Sequence, residues 1–364
     1  SLKQGVPRNC FSVIFKFDSA LKISSFNITK TKIISNKRFT YSEAQSILDN
    51  KEGVLFDELS IIKKIAIKLR KKRQSSGAIM FNKKEMGFKL NNQKYPIDIF
   101  VKESYFTQKI IEELMLLTNI TVANFLKSKN ISNAVFRVHD IPDKDKLLSL
   151  KNLAFEFNYS IDISNKIAVR KSLNKLLEKV EGTTEQGLFE PLVIRSMAKA
   201  EYSSKNIGHY GLSLNDYVHF TSPIRRYADL IIHRIINSIL NNKPFSKSFE
   251  GICKHISKKE REASMAERES IKLMQIKYME KHVGDTFEGV ISGVIDHGFF
   301  VELVQNGCEG FVRASSLKGF YQIDNKKIAL VNNDNKFTLG QSVDVKVIRS
   351  DSNKRLLDLE LISF

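Results

Sequence analysis

Two adjacent arginines, Arg225 and Arg226, lie in the segment HFTSPIRRYAD at 219–229. Ser222 is a favourable helix N-cap and Pro223 suits the first helical position, so we expect both arginines in the first turn of a helix. Cations are disfavoured there because a helix N-terminus is already partly positive. The pair therefore predicts a bound anion, and the guanidinium groups together with the free amides would hold a phosphate.

An ion pair within the helix is the alternative explanation of this segment. Asp229 lies four residues after Arg225, and it would also reach His233 on the same helix face. The preceding loop, GHYG at 208–211, favours ligand binding because it supplies flexible backbone and two rings, His209 and Tyr210, that could stack on a base.

The pattern of helices and strands divides the chain into two parts. Alternating residues at 10–17 predict a strand, and 21–34 predicts two more. Residues 145–280 are mainly helical in pattern. After Gly284, five short strands separated by Gly, Asn and Asp predict a small β-barrel. We therefore expect an α+β domain at 1–283 and an all-β barrel at 284–364.

The composition is strongly basic, with 58 Lys and Arg against 40 Asp and Glu and a formal net charge of +18. This balance favours a polyanionic partner, with nucleic acid first. The alternative is genome bias, since AT-rich genomes encode Lys, Asn and Ile often. Three cysteines far apart in sequence argue against disulfides and zinc and fit a reducing cytoplasm. No apolar run approaches the ~20 residues of a membrane span, so no membrane partner is expected.

The arginine segment closely resembles a known family signature. The stretch GHYGLSLNDYVHFTSPIRRYADLIIHR resembles the signature of the ribonuclease II/R catalytic domain, and the chain is similar to the ribonuclease R type over essentially its whole length. Further segments match in family order: IIEELMLLTNITVANF at 110–125, FRVHDIPD at 136–143, IRSMAKAEYS at 194–203 and SMAERES at 264–270.

The resemblance implies two catalytic residues. Arg225 would hold the phosphate of the scissile bond, and Glu267, in the AER motif, would assist at the same site. The local sequence permits this, because a stripe of small residues at 263–270 places Glu267 at the edge of a packed helix face, where a half-buried carboxylate needs a cationic partner. The alternative is a surface glutamate on a charged helix.

The resemblance also implies contacts with the end of the RNA. Phe81, in GAIMF at 77–81, would stack on the 3′-terminal base, although a lone Phe in a strand is ordinarily a core residue. Glu113 corresponds to a family position near the terminal nucleotides, and the register between Glu112 and Glu113 stays open. Arg226 would add a phosphate contact.

The family's reaction uses two divalent metal ions, and Mg²⁺ needs clustered carboxylates. In the family these come from a segment preceding the one that matches residues 1–15, so we expect no metal ligand in this chain. Asp140, Asp143 and Asp145 fit a polar loop better than a metal site. We therefore expect a fragment, a partial structure or a split-gene product that is inactive by itself.

The barrel resembles an S1-type RNA-binding domain with an OB-fold. Aromatic rings would stack on bases while cations follow the backbone. The candidates are His297, Phe300, Arg313 and Arg355, and Phe299 and Phe311 are expected in the barrel core. His297 and Arg313 depart from the residues that the family usually carries there, and both can still stack or bind phosphate.

These expectations combine into one function, the processive 3′-to-5′ hydrolysis of single-stranded RNA to nucleoside 5′-monophosphates. Mg²⁺, no small-molecule cofactor and a monomeric state are expected with it. Two other classes stay open. One is a non-catalytic RNA-binding subunit on the same scaffold. The other is an S1-type translation or RNA-chaperone module, which the intact SPIRR and MAERE segments argue against.

Overall fold

The structure is a computed structural model and describes residues 2–80, 85–131, 133–183, 185–243, 248–324 and 328–364. The helices in these ranges are α1 (Tyr41–Asn50), α2 (Phe56–Ser75), α3 (Phe106–Ser128), α4 (Lys144–Glu156), α5 (Lys166–Val180), α6 (Gln186–Ser196), α7 (Tyr227–Leu240) and α8 (Glu250–Met279). The strands are β1 (Pro7–Phe17), β2 (Ile23–Ile34), β3 (Met86–Leu90), β4 (Pro96–Val101), β5 (Phe136–Val138), β6 (Glu201–Ser203), β7 (Thr286–Ile295), β8 (Gly298–Leu303), β9 (Glu309–Arg313), β10 (Gln322–Ile323), β11 (Ala329–Val331), β12 (Lys336–Thr338), β13 (Ser342–Asp351) and β14 (Leu356–Ser363).

The chain forms two compact units, each assembled from separate stretches of sequence. Unit 1 consists of Ser1–Met80, Ser104–Ile141 and Lys199–Glu260. Unit 2 consists of Phe81–Glu103, Pro142–Ala198 and Arg261–Phe364.

Unit 1 packs an antiparallel hairpin and several helices around one apolar core. Strands β1 and β2 pair along their lengths, with Val13 opposite Ile28. The prediction of two strands within 21–34 is wrong, because that segment forms the single strand β2, which pairs with β1 almost throughout. The core below the hairpin is built mainly from apolar residues of α3 and α7, including Val122 and Ile232.

Capping and helix periodicity set the local structure at the start of unit 1. Thr40 caps α1 by accepting from the Glu43 amide, and the Glu43 carboxylate accepts from the Thr40 amide in return. This reciprocal arrangement satisfies amide groups that a helix start leaves unpaired. Helix α2 carries Asp57 and Glu58 in its first turn and cations in its last, the favourable placement for the helix dipole.

Unit 2 contains a closed five-stranded barrel with the strand order β13-β14-β9-β8-β7. Strand β14 pairs in parallel with β9, and the other neighbouring strands are antiparallel. Its interior is filled by apolar side chains such as Ile291, Val301 and Leu359. The five predicted strands are confirmed. Strands β10, β11 and β12 form an additional small sheet that the sequence pattern did not predict.

The described residues also bear on the membrane question. Within the described ranges, no helix combines the length and the apolar composition that crossing a bilayer requires.

Candidate functional site

The arginine segment of unit 1 is a turn followed by a helix. The Ser222 carbonyl accepts from the amides of Arg225 and Arg226 at 3.3 and 3.1 Å, and α7 begins at Tyr227 with Arg226 as its N-cap residue. The prediction of a helix starting at Ser222 is wrong. The Asp229 carboxylate accepts from the Ser222 amide at 2.8 Å and stabilises a separate turn instead. Both arginines therefore precede the helix.

Arg226 is held by the acidic residue of the same segment. Its guanidinium donates to both oxygens of Asp229 at 2.9 and 2.8 Å, and Asp229 has no exposed surface. The ion pair expected as the alternative thus exists, but at the i,i+3 spacing of Arg226 rather than from Arg225. Because a buried carboxylate needs a bound cation, Arg226 supports the loop, and this use of its guanidinium conflicts with a phosphate contact.

Arg225 is the arginine left available. It is exposed, and within the described residues it has no side-chain hydrogen bond or ion pair. It lines a cleft of about 1160 Å³ together with residues of the β1–β2 hairpin. An unpaired guanidinium at a cleft can form a bidentate contact with a phosphate without first breaking an ion pair.

The turn that carries Arg225 is fixed at its start by groups from α3 and α7. The Phe220 amide donates to the Asn119 side chain at 3.0 Å, and the Phe220 carbonyl lies 2.8 Å from Nε2 of His233. The His233 ring also stacks on the Phe220 ring with centroids 4.4 Å apart. These contacts limit the motion of the turn, so they hold the Arg225 backbone in place.

A ladder of histidine and tyrosine rings lies in unit 1. His139 and His209 have ring centroids 5.1 Å apart, His209 and Tyr217 5.6 Å, and Tyr217 and His219 5.5 Å. Tyr202 is the last member of this ladder, and its hydroxyl forms a 2.9 Å hydrogen bond with Nδ1 of His219.

Burial dominates the electrostatics of this ladder. Loss of solvent, with His139 and Arg137 nearby, lowers the pKa of His209 to about 3. Burial next to Arg226 and Arg137 lowers the pKa of His219 to about 2. Both rings therefore stay neutral near pH 7, and they act as hydrogen-bonding and packing groups rather than as cations.

Of the two rings expected to stack on bases, His209 belongs to this ladder and Tyr210 packs against it. Tyr210 is only 6% exposed, with its ring edge-on to His139, and Nδ1 of His209 accepts from the Leu212 amide. The burial of Tyr210 and the internal hydrogen bond of His209 conflict with a stacking role for these two rings. Gly211 must stay a glycine here, because a Cβ would lie 2.8 Å from Nδ1 of His139.

Arg137 and His139 both make internal contacts beside this ladder. Arg137 contacts Glu260 at 2.5 Å and lies over the Tyr202 ring, 4.8 Å from its centroid. Nδ1 of His139 accepts from the Gly211 amide at 3.0 Å.

Glu113 is a buried carboxylate of α3 and is only 3% exposed. Arg73 donates to it at 2.5 Å, and Arg70 approaches within 3.6 Å. Glu112 shares Arg73 at 3.0 Å while remaining 44% exposed. Of the two residues whose register was open, Glu113 is therefore committed to an internal ion pair and Glu112 has the more accessible carboxylate.

Glu267 and Phe81 are two further residues of the predicted site. Glu267 lies on α8 within a stretch at 261–270 that is exposed throughout. The expectation that Glu267 is half-buried is therefore wrong, because its small-residue stripe is not covered in this structure. Phe81 lies outside the described residues.

The barrel of unit 2 presents an aromatic pair on its outer surface. Phe300 of β8 is the cross-strand partner of Phe311 on β9, and both rings are partly exposed with centroids 4.9 Å apart. Phe299 is fully buried, as expected. The prediction of Phe311 as a core residue is wrong, because its register places it on the same face as Phe300.

The barrel's candidate cations are already engaged. Arg313 contacts the nearly buried Asp358 at 3.2 Å, and Arg355 contacts Glu269 at 2.5 Å. His297 is exposed at the turn before β8, where its carbonyl accepts from the Ala314 amide. The available groups on this face are thus mainly aromatic.

The described residues do not fit a Mg²⁺ site. Nowhere in the described ranges do three or more His, Cys, Asp or Glu side chains lie close enough to share a metal ion. Of the three aspartates considered above, Asp143 caps α4 by accepting from the amides of Asp145 and Lys146, and Asp140 accepts from the Ile141 amide. These are the contacts of a polar loop.

The fold and the site define a class of protein: an α+β catalytic-type domain followed by an OB-fold barrel. The chain belongs to the RNB domain family, whose model matches residues 1–242, and an S1 RNA binding domain model matches residues 280–362. The resemblance to ribonuclease R is confirmed at the level of the family, and so is the predicted fold class.

Individual relatives agree with this assignment. Ribonuclease R of Aquifex aeolicus is 33% identical over 376 residues, which cover 100% of this chain and 53% of the relative. The structure of Mycoplasma genitalium RNase R in complex with ribose methylated single-stranded RNA is 26% identical with a TM-score of 0.91, covering 100% of this chain and 59% of that one. The chain spans about half the length of the curated relatives it matches.

The fold also occurs in a protein described as a pseudonuclease. Yeast Ssd1 has a TM-score of 0.65 with 20% identity, covering 91% of this chain and 42% of the yeast chain. At this identity the likeness concerns the fold alone.

Proposed function

We propose that this chain is part of a 3′-to-5′ exoribonuclease that hydrolyses single-stranded RNA processively to nucleoside 5′-monophosphates. The observation that carries the proposal is Arg225, an exposed and unpaired guanidinium on a turn that Asp229 holds from within. A positioned cation of this kind stabilises the negative charge that develops on a phosphate during hydrolysis.

The other residues have supporting roles in this proposal. Glu267 would position the scissile phosphate or a neighbouring nucleotide, Phe81 would stack on the terminal base, and Glu113 would shape the end of the channel through Arg73. The family resemblance implies Mg²⁺. Because the described residues do not fit a Mg²⁺ site, the ligands of the metal are proposed to come from residues outside this chain.

The barrel at 284–364 is proposed to hold incoming RNA, and 1–283 to carry the phosphate site. The Phe300–Phe311 pair offers a platform for bases of any sequence, because every base has a stacking face. A narrow path for one strand would explain selection of single-stranded RNA. A monomeric state and a cytoplasmic location remain predictions.

A non-catalytic RNA-binding subunit on the same scaffold is the second candidate. The observation in its favour is the lack of a carboxylate cluster in the described ranges. A chain of this kind would bind RNA through Arg225 and the barrel and would not shorten it in any mixture.

The test is an Arg225→Ala variant assayed on 5′-labelled single-stranded RNA with Mg²⁺. The chain is assayed alone and mixed with a polypeptide supplying the upstream half of a ribonuclease R. We expect shortening from the 3′ end only in the mixture, with the variant about 10²–10³-fold slower because one stabilising donor is lost. Arg225→Lys, which keeps the charge but not the fork, should recover part of the rate.

The alternatives give different results in the same assay. RNA binding without cleavage in any mixture would support the non-catalytic subunit. Cleavage by the chain alone would contradict the assignment of the metal ligands to another polypeptide. A variant that cleaves as fast as the parent would remove Arg225 from the proposed site.

A further inference from the structure

The cleft beside Arg225 is cationic along the hairpin that borders it. Three further basic residues line it, namely Arg8, Lys30 and Lys32, and no Asp or Glu is among the described residues of its lining. Its volume of about 1160 Å³ exceeds the ~300–1,000 Å³ typical of a pocket for a small ligand. Cations collected around one cleft repel each other, so this arrangement favours an anionic occupant.

The register of the hairpin places the two lysines on one face of β2. Lys30 is opposite Phe11 and Lys32 is opposite Asn9. Further along the same face, Val13 and Ile28 pack into the core. The face therefore changes from apolar to cationic as the hairpin runs out into the cleft. Two residues along a strand correspond to roughly 7 Å, which is comparable with the phosphate-to-phosphate step of an extended strand.

Both lysines are available for a ligand. They are exposed, and in the part of the chain that the structure describes neither side chain has a hydrogen bond or an ion pair. Lys127, another lysine of unit 1, differs from them because it contacts Asp216 at 2.9 Å. The pair thus combines exposure, common direction and lack of a partner.

We propose that Lys30 and Lys32 bind backbone phosphates of the RNA strand next to the phosphate that Arg225 holds. The inference rests on the proposed function and adds to it a phosphate track along β2. The occupant is a nucleic acid backbone, because the lining combines two lysines on one strand face with Arg225, the proposed phosphate-binding residue. An acidic polypeptide is the competing occupant that the experiment must separate.

The test compares two double variants of the full chain. Lys30→Ala/Lys32→Ala removes the proposed track. Lys16→Ala/Lys22→Ala is the matched control, because it removes the same charge from exposed positions at the other end of the same hairpin. Binding of fluorescent single-stranded RNA is measured by anisotropy over a range of salt concentrations. Thermal unfolding followed by circular dichroism verifies that both variants are folded.

The salt dependence gives the decisive readout. Each phosphate contact on a single strand contributes about 0.7 to the slope of log K against log salt, so the track variant should lose about 1.4. The control should keep the parent slope. Equal slopes for the two variants would overturn the inference while leaving the proposed function intact. Failure of the parent chain to bind RNA at all would instead remove the proposed function.

Poly-glutamate of matched length separates the competing occupant. RNA binding that survives excess poly-glutamate at constant ionic strength supports the track. Two results together would contradict the assignment to nucleic acid. Poly-glutamate would displace RNA from the parent at equal charge concentration, and the track variant would lose as much affinity for poly-glutamate as for RNA. The cleft would then recognise acidic polypeptides.

Discussion

The cleft of unit 1 and the outer face of the barrel carry different kinds of recognition groups. Residues 284–364 contain nine Lys and Arg against eleven Asp and Glu, so all of the excess positive charge lies before the barrel. The barrel face presents the Phe300–Phe311 pair, with Arg313 already bonded to Asp358. In the cleft, Arg225 and its lysine neighbours have no such acidic partner among the described residues.

This difference separates two contributions to RNA binding. Contacts between cations and phosphates weaken steeply with salt, because they release counterions. Stacking of bases on aromatic rings depends far less on salt and tolerates any sequence. We therefore expect unit 1 to supply most of the salt-dependent affinity and the barrel to supply mainly the stacking.

The largest expected contrast concerns the carboxylates that hold an arginine in each region. Asp229→Ala removes a fully buried partner and leaves Arg226 uncompensated, which should lower the free energy of unfolding by about 3–5 kcal/mol. Asp358→Ala frees Arg313, which is 56% exposed, so the ion-pair loss should be only about 0–1 kcal/mol. Urea denaturation followed by circular dichroism measures both.

Asp229→Asn tests the cause of the larger loss. It keeps the shape and removes the charge, and it should fall between the parent and Asp229→Ala. Similar losses for Asp229→Ala and Asp358→Ala would contradict the contrast between a buried and an exposed pair.

The second contrast is the response to acid. The pKa values of His209 and His219 lie near 3 and 2 in the folded protein, below the ordinary value of 6.5. Below pH 6.5 these histidines bind protons in the unfolded chain, whereas they stay neutral in the folded protein. Unit 1 should therefore lose stability as the pH falls from about 6.5 towards the folded pKa values, by up to about 1.4 kcal/mol per pH unit for each histidine.

Hydrogen exchange between pH 7 and 5 can follow unit 1 and the barrel separately in one sample. Amides of α3 and α7 should lose protection before those of β8 and β13, after correction for the intrinsic exchange rate. His219→Gln should make the stability of unit 1 less dependent on pH, because up to one fewer proton is bound on unfolding. An unchanged slope in that variant would show that His219 is not a source of the acid sensitivity.

The smallest expected effect lies on the barrel. Phe300→Ala should weaken binding of single-stranded RNA by about 1–3 kcal/mol without changing the salt slope, because a stacking ring and no charge is lost. Phe300→Tyr should retain the affinity. Arg313→Ala should weaken RNA binding by only about 0–1 kcal/mol, because its guanidinium already forms an ion pair with Asp358. A large drop in salt slope for Phe300→Ala would contradict the division between the two regions.

Local patterns in the sequence predicted the elements better than their surroundings. The five barrel strands follow from residue spacing and turn residues, and the structure contains them. The start of α7 was missed because Asp229 binds the amide of Ser222, seven residues earlier, and turn or helix propensity carries no information about that contact. Strands β10–β12 were not predicted because each has only two or three residues, too few to show the alternation of buried and exposed side chains that marks a strand.

Exposure was the harder property to predict. Phe311 faces outward because it is opposite Phe300, a relation that appears only once the register between β8 and β9 is known. Glu267 was assigned to a packed face from its small neighbours, yet a stripe is buried only if something covers it. The sequence shows Lys30 and Lys32 as alternating lysines. It does not show that they line the same cleft as Arg225, which is nearly two hundred residues away in the chain.

The parallel pairing of β14 with β9 has a consequence for how the chain matures during translation. Strand β7 pairs with β13, and β9 pairs with β14. The barrel therefore cannot close until residues 342–363 have left the ribosome. At ~5–20 residues per second, the roughly fifty residues between β7 and β13 take several seconds to synthesise. During that interval β7 and β9 keep open edges, where a second nascent chain could pair. Slow decoding before β13 would lengthen the interval, and a chaperone that covers strand edges would be most useful then.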